Sequence, residues 1–368
     1  MHLRISFDQQ VFLLQQYGGI SRYVTSLAWQ LSKMRALEVR IIAPLHFNNH
    51  LSILPNKVTR GIRIPRVPKT LRLVSAVSKG LAHQAMRIFR PDIVHETYYS
   101  ADAYAPSGAH RVITVYDMIS ERFPAEFGGS RFSELKKKAV SSADHVLCIS
   151  ESTQRDLIEL FGISAEQTSV VHLGFDQFVH PGDVGTQSQN NFRPYLLYVG
   201  SRGGYKNFAT LVQAFASSAY LRRDFLLICF GGGDFTPDEL SLFRKMQMSS
   251  ANVRQISGND ERLASMYINA TAFVYPSLYE GFGIPPLEAM SLGCPVICSN
   301  TSAIPEVVGD AGEYFDPTDI ESMRAAIEAV LQSTSRRKEL VSNGHVRRSL
   351  FSWQRCATET LNVYRSMI

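Results

Sequence analysis

Short β-rich apolar runs alternate with stretches of helical period along most of the chain. In the first half the runs are LRISF (3–7), EVRIIAP (38–44), DIVHE (92–96), RVITVYD (111–117) and HVLCIS (145–150). Between the first two, SRYVTSLAWQLSKM (21–34) repeats apolar positions at helical spacing, and Ser21 is expected to cap it. Alternation of this kind predicts parallel strands joined by crossover helices. The pattern lapses over residues 177–194, where HPGDVGTQSQNNFRP is polar and carries Gly and Pro without apolar period, as a linker does. It then resumes with YLLYVG (195–200), FLLICFGGG (225–233), VRQIS (253–257), AFVYPS (272–277) and PVICS (295–299) as strands, with helices between them. Residues 320–368 read mostly as helix.

Two βα series predict an α/β protein of two Rossmann-like, doubly wound domains. The expected division is 1–176 for an N-terminal, acceptor-binding domain, 177–194 for the linker and 195–350 for a C-terminal, nucleotide-binding domain. Residues 351–368 form a last helix expected to pack back on the N-terminal domain. A length of 368 residues suits two domains of ordinary size.

Composition narrows the class. With 45% hydrophobic and 19% charged residues, the chain has the make-up of a globular protein with a proper core. Its net charge of +5 favours anionic partners such as phosphates or acidic lipids. No basic tail or nucleic-acid motif accompanies it, so nucleic acid is not expected as a partner. The N-terminus lacks the apolar core of a signal peptide, no apolar run is long enough to span a membrane, and five cysteines in an odd count suit buried reduced thiols. Those features predict a cytoplasmic location, with at most peripheral contact at an anionic membrane, as at the cytoplasmic face of an inner membrane. The segment Lys69–Arg90 sharpens the question. It is either a membrane-surface or acceptor-facing helix with basic edges, or an ordinary amphipathic helix packed on the sheet.

The richest chemistry lies in VYPSLYEGFGIPPLEAMSLGCPVICSN (274–300). Glu280 and Glu288 stand eight residues apart. Gly281 and Gly283 let backbone approach a ligand closely, and Pro285 and Pro286 pre-set a helix start. Such a loop and helix N-terminus offer unpaired N–H groups to phosphate. A carboxylate beside them suits sugar hydroxyls instead, because it repels phosphate. In VGSRGGYKN (199–207), Arg202 and Lys206 follow a strand end and can stabilise charge growing on a departing phosphate. In QYGGISRY (16–23), Gly18 and Gly19 open a second candidate phosphate loop. TVYDMISERFP (114–124) brings Tyr116, Asp117 and Glu121 near one another. No Asp-x-Asp motif is present, and His46 with His50 lack a third ligand. The FGGGD turn (230–234) lacks the G-x-G-x-x-G of a dinucleotide site.

The 274–300 segment resembles the E-x7-E region of retaining GT-B glycosyltransferases of family 4, and the likeness extends over essentially the whole chain. It includes Gly18-Gly19, the run from Tyr198 to Asn207, and S-x-x-P-E-V-V-G-D-A from Ser302 to Ala311. The resemblance implies two domains facing across a cleft and transfer of a hexose from a nucleotide-sugar to a saccharide or lipid-linked acceptor, without metal or other cofactor. Likeness to mannosyltransferase-type members favours GDP-mannose and surface-polysaccharide assembly such as O-antigen. It places Arg202 and Lys206 on the donor diphosphate and Glu288 on the ribose, and it gives Glu280 with Gly281, Phe282, Gly283 and Ile284 to the transferred sugar. Gly18, Gly19 and Gly200 are expected near the donor, and Ile256 to Leu263, Ser257 and Leu263 among them, near the base. Tyr116 and Glu121 fall on the acceptor side, and Asp117 joins Arg202, Lys206 and Glu280 as a catalytic candidate that contacts either the acceptor hydroxyl or the donor sugar. The family often has His where this chain has Tyr116, and a tyrosine cannot do a histidine's proton chemistry near neutral pH at its ordinary pKa. That departure is the one feature favouring an alternative, a nucleotide-sugar-binding subunit without catalysis.

Overall fold

The computed structural model of the protein describes residues 2–67, 69–100, 105–127, 130–176 and 193–368. It falls into two compact units, Met1–Gly174 with Phe351–Ile368, and Phe175–Leu350. Residues 177–192 of the expected linker lie outside the described residues.

The first unit holds a seven-stranded parallel sheet in the order β3-β2-β1-β4-β5-β6-β7. Its strands are β1 Leu3–Phe7, β2 Leu37–His46, β3 Thr59–Arg63, β4 Ile93–Glu96, β5 His110–Val115, β6 His145–Cys148 and β7 Thr168–Val170. Ile5, Phe7, Ile41, Val94, Val112, Ile113 and Val146 are buried, as continuous β-branched runs covered on both faces by helices must be. The helix Trp353–Ser366 belongs to this unit. Tyr364 on that helix is buried, and its hydroxyl lies 2.6 Å from Nδ1 of His95 on β4. Burial without an opposing charge pushes the His95 imidazole down to about 3, so it stays neutral and structural. The Trp353 ring lies tilted against Tyr23 with centroids 6.1 Å apart, and a side chain on Gly174 would collide with the Trp353 ring and backbone.

The second unit holds a six-stranded parallel sheet in the order β10-β9-β8-β11-β12-β13. The strands are β8 Tyr195–Val199, β9 Leu226–Phe230, β10 Val253–Ile256, β11 Ala272–Tyr275, β12 Val296–Ser299 and β13 Gly312–Phe315. Its core joins Leu196, Phe208, Leu211, Phe215, Leu227 and Ile327 with their neighbours. All five cysteines are buried and free.

Local expectations needed correction in three places. The helix expected from Ser21 begins at Gly19, with Gly18 as its N-cap. Ser21 sits in its first turn, and its N–H is taken by Oε1 of Gln15 at 3.1 Å. A Cβ on Gly18 would meet that same Gln15 carboxamide at 2.2 Å, so the glycine makes room for the cap. The strands β3, β7 and β13 were not expected. In β3 the run TRGIR has no apolar alternation, and Gly61 is needed because a Cβ there would lie 1.7 Å from the Ala43 carbonyl. A short helix, Gln10–Leu14, also precedes Gly18 and buries Val11, Phe12 and Leu13.

Candidate active site

In both sheets the chain leaves the first strand to build one flank and returns to build the other. The reversal lies between β1 and β4 in the first unit and between β8 and β11 in the second. Loops at the carboxyl ends of strands flanking such a reversal leave room for a ligand.

In the second unit those loops carry the expected chemistry. After β8, Gly200 adopts a φ of 122°, and Gly204–Lys206 forms a single tight turn. Asn207 follows in the left-handed region and anchors the turn, donating to the carbonyls of Pro276 at 3.0 Å and Pro317 at 2.8 Å. The Leu278 N–H donates to the Tyr205 carbonyl at 2.8 Å, so the loops after β8 and β11 are fastened to each other. Lys206 Nζ thereby meets Glu280 Oε1 at 2.7 Å, with both side chains largely shielded from water. The ammonium also lies 5.0 Å from the Tyr205 ring and 6.0 Å from that of Tyr275. Burial and then the Glu280 carboxylate raise the Tyr275 phenol well above its ordinary pKa. The Glu280 N–H donates to Ser302 Oγ at 2.9 Å.

Directly after Glu280 come Gly281, Phe282 and Gly283, all buried. Gly283, at φ 142°, caps the helix Ile284–Ser291. Glu288 is half-buried on that helix and accepts from the hydroxyl of buried Tyr267 at 3.2 Å. Burial, and after it the Glu288 charge, keep that phenol protonated and donating. The loop leaving β10 holds Ser257, whose Oγ accepts from Gln255 Nε2 at 2.7 Å and whose carbonyl accepts from Arg262 at 2.8 Å. Leu263 is half-buried on the next helix, Asp260–Asn269.

Arg202 goes elsewhere than Lys206. Its guanidinium, buried, donates to the carbonyls of Gly231 at 3.0 Å, Gly233 at 3.0 Å and Asp234 at 2.9 Å, and to Glu239 at 2.7 Å. Those bonds engage most of its five N–H groups. The turn that surrounds it needs its glycines: Gly231, Gly232 and Gly233 all have positive φ, and a Cβ on Gly232 would lie 2.7 Å from Arg202 Nη1. Burial raises the Glu239 carboxyl, but the Arg202 bond and the Thr236 backbone N–H outweigh it and hold the group below its usual range. The structure thus joins Lys206 to Glu280 and gives Arg202 to the glycine turn.

In the first unit, Asp8 at the end of β1 is fully buried and accepts from Thr97 Oγ1 at 2.5 Å, Gln10 Nε2 at 2.6 Å and Gln10 N at 3.0 Å. Desolvation raises its pKa against those bonds. Tyr116 is buried edge-on to Tyr23, and burial, above all, raises its phenol well above the ordinary value. Its environment thus moves it away from base chemistry. Asp117 is partly exposed, and its Oδ1 accepts from the Ile119 N–H at 3.0 Å.

Two residues here were not singled out from sequence, Asp8 and Lys136. Lys136, in the helix Ser130–Ser141, is 1% exposed. Its ammonium donates to Glu121 Oε2 at 2.7 Å and to the Asp117 carbonyl at 3.0 Å, and it lies 5.5 Å from the Tyr99 ring. Asp117 and Glu121 are therefore held together by one buried cation. Among the described residues, no cluster of three or more His, Cys, Asp or Glu is placed to hold a metal ion.

Comparison with known proteins matches the chain to a family. A family model described as "Glycosyl transferases group 1" matches residues 186–347, and one described as "Glycosyltransferase Family 4" matches residues 17–177. The chain is 30% identical to the O-antigen chain mannosyltransferase B of Escherichia coli, over 94% of this chain and 96% of that one. The chain is a family 4 glycosyltransferase. This glycosyltransferase is also 29% identical to the MMP alpha-(1->4)-mannosyltransferase of Mycolicibacterium hassiacum, over 75% of its own length and 71% of that protein. Its fold is the GT-B arrangement of two Rossmann-like domains. It matches sucrose-phosphate synthase of Thermosynechococcus elongatus with a TM-score of 0.77 at 20% identity, covering 99% of each chain. It matches Anabaena Alr3699/HepE, solved in complex with UDP-glucose, with a TM-score of 0.71 at 19% identity, over 98% of this chain and 100% of that one. Among the described residues of this glycosyltransferase, no helix is long and apolar enough to cross a membrane.

Proposed function

We propose that this glycosyltransferase moves a hexose, with retention of anomeric configuration and without a metal, from a nucleotide-sugar to a saccharide or lipid-linked saccharide acceptor. GDP-mannose is the favoured donor and surface polysaccharide of the O-antigen kind the favoured product. The relatives named as mannosyltransferases support that choice. In this reading the donor lies on the second unit, at the reversal between β8 and β11. Glu288 accepts from the ribose hydroxyls, and Glu280 with the backbone of Gly281, Phe282, Gly283 and Ile284 holds the sugar. Lys206 faces the diphosphate and stabilises charge as the sugar–phosphate bond breaks, while Arg202, ion-paired with Glu239, braces the glycine turn. Ser257 and Leu263 border the base. Gly18, Gly19 and Gly200 are assigned to the donor phosphate, and Asp117 serves the acceptor hydroxyl, with Tyr116 and Glu121 shaping its surroundings. The protein works in the cytoplasm and touches an anionic membrane peripherally.

The observation that carries the reading is the Lys206–Glu280 pair at 2.7 Å, one turn from the N-terminus of the Ile284–Ser291 helix. In this reading Lys206 and the helix N-terminus suit the diphosphate, Glu280 the sugar hydroxyls and Glu288 the ribose, all at one strand-end reversal. A thermal-shift screen with GDP, UDP, dTDP and ADP tests it. The cognate diphosphate at a hundredfold excess over its Kd is expected to add about 2.7 kcal/mol of stability, a rise of several degrees. Glu288→Ala is expected to lose most of that rise. No shift with any of the four, or a full shift in Glu288→Ala, would count against the site.

A further inference from the structure

A buried tyrosine needs a reason that a buried phenylalanine does not, because a hydroxyl taken out of water is costly unless it finds a partner. In the second unit three aromatic rings run in contact from one glutamate of the site to the other. The rings of Tyr267 and Phe273 meet edge-on with centroids 5.4 Å apart, and those of Phe273 and Tyr275 lie tilted at 5.7 Å. None of the three is more than 3% exposed. The sequence puts them there from two elements. Phe273 and Tyr275 alternate on β11 and so share one face of it, while Ala272 and Val274 on the other face join the core that holds Leu196 and Ile327. Tyr267 comes from the last turn of the helix Asp260–Asn269, whose start is capped by Asn259, the side chain accepting from the Arg262 N–H at 3.1 Å.

The middle ring carries no hydroxyl. The outer two do, and each directs it at a glutamate. Tyr267 donates to Glu288 Oε2 at 3.2 Å and to the Pro285 carbonyl at 3.4 Å. It thereby ties the carboxylate to the first turn of the helix that bears it. Tyr275 donates to the Glu280 carboxylate, whose Oε1 also accepts from Lys206. Burial, above all, keeps both phenols protonated, so each remains a donor at neutral pH. Phenylalanine would fill both places in the packing. What the hydroxyls add is a fixed direction for two flexible carboxylates, which then meet a ligand already ordered.

We propose that Tyr267 and Tyr275 are positioning residues for the transfer reaction. Tyr267 fixes the Glu288 carboxylate in the orientation that accepts from ribose hydroxyls, and Tyr275 fixes Glu280 for the transferred sugar. The proposal rests on the donor-site reading above and adds to it two residues that act only through the glutamates they hold.

Calorimetric titration of the full chain with GDP, UDP, dTDP and ADP, and with the 2′,3′-dideoxy form of whichever binds, tests the first assignment. Wild type is expected to prefer the hydroxyl-bearing diphosphate by about tenfold or more, the worth of a hydrogen bond to a charged group. Glu288→Ala is expected to abolish that preference. Tyr267→Phe is expected to cut it by about threefold or more, with affinity for the dideoxy form unchanged, whereas general damage to the fold would weaken both ligands together. Tyr275→Phe is expected to keep both affinities and to lower kcat/KM by about tenfold with the hexose donor of the same nucleotide. A wild-type preference in Tyr267→Phe, or equal weakening of both ligands, would overturn the role of Tyr267. Unchanged kcat/KM in Tyr275→Phe would overturn that of Tyr275. Failure of the donor-site reading looks different: none of the four diphosphates binds, or wild type and Glu288→Ala treat the two forms alike.

Discussion

Glu280→Gln and Lys206→Met are each expected to lower kcat/KM by roughly 10²- to 10³-fold with the cognate donor, the usual effect of removing one preorganised charge from a transition state. The two carry different parts of the reaction. In the proposed reading Lys206 faces the diphosphate, whose negative charge grows as the sugar–phosphate bond breaks, so its loss should lower kcat more than it raises KM. In the same reading Glu280 holds sugar hydroxyls in ground and transition states alike, so its loss should raise KM as well as lower kcat. They are also a bonded pair at 2.7 Å in a shielded site. Removing one leaves the other partly buried and unpaired, and the double variant should therefore lose much less than the product of the single losses. Steady-state kinetics of the four-member cycle checks this. Single variants within threefold of wild type, or strictly multiplicative losses, would show that the pair is structural and remote from the donor.

Lys136→Ala is expected to destabilise the first unit by about 3–5 kcal/mol, seen as a fall in Tm of about 10 °C for a unit of this size. The ammonium is 1% exposed and is the cation bonded to Glu121 Oε2. Its removal leaves a carboxylate with a 5% exposed side chain, and Glu121 Oε1 has no hydrogen-bond partner among the described residues. A buried ion pair is costly to break but cheap to replace. Lys136→Met combined with Glu121→Leu is accordingly expected to recover most of the lost Tm. The recovered protein should still turn over poorly, because Lys136 also holds the Asp117 carbonyl at 3.0 Å and so sets where the Asp117 carboxylate lies. Thermal melts and acceptor KM measured on the same variants separate the two contributions. A Lys136→Ala protein as stable as wild type would refute the buried-pair account.

How much of this was legible before the fold was known differs from residue to residue. The two parallel sheets were visible because both-face burial demands unbroken runs such as VITV and LLICF, which no helix period explains. Lys206 and Glu280 drew notice because each follows a strand end within a glycine-bearing segment, and Glu288 because it lies on the helix after that segment, in the second turn rather than the first. The strand β3 was hidden, since an edge strand owes its place to pairing with β2 rather than to its own apolar pattern. Lys136 was hidden too. It sits in a run of three lysines, and nothing local says that the first is buried while Lys137 and Lys138 reach solvent. Arg202 shows the opposite limit. Its sequence neighbourhood announces a cation near phosphate, but its hydrogen bonds depend on the carbonyl directions of Gly231 and Gly233, which are set by positive φ. Tyr116 was noticed as a departure, yet only its burial beside Tyr23 reveals that its proton is held more tightly than usual.

The central claim is that Lys206 recognises phosphate charge rather than base or ribose. Calorimetric titration of the cognate nucleoside diphosphate and of its bare nucleoside, into wild type and Lys206→Met in the presence of EDTA, tests that claim directly. A lost charge-assisted hydrogen bond is worth about 1.5–3 kcal/mol, so diphosphate affinity should fall at least tenfold in the variant while nucleoside affinity holds. Unchanged diphosphate affinity, or an equal loss for both ligands, would contradict it.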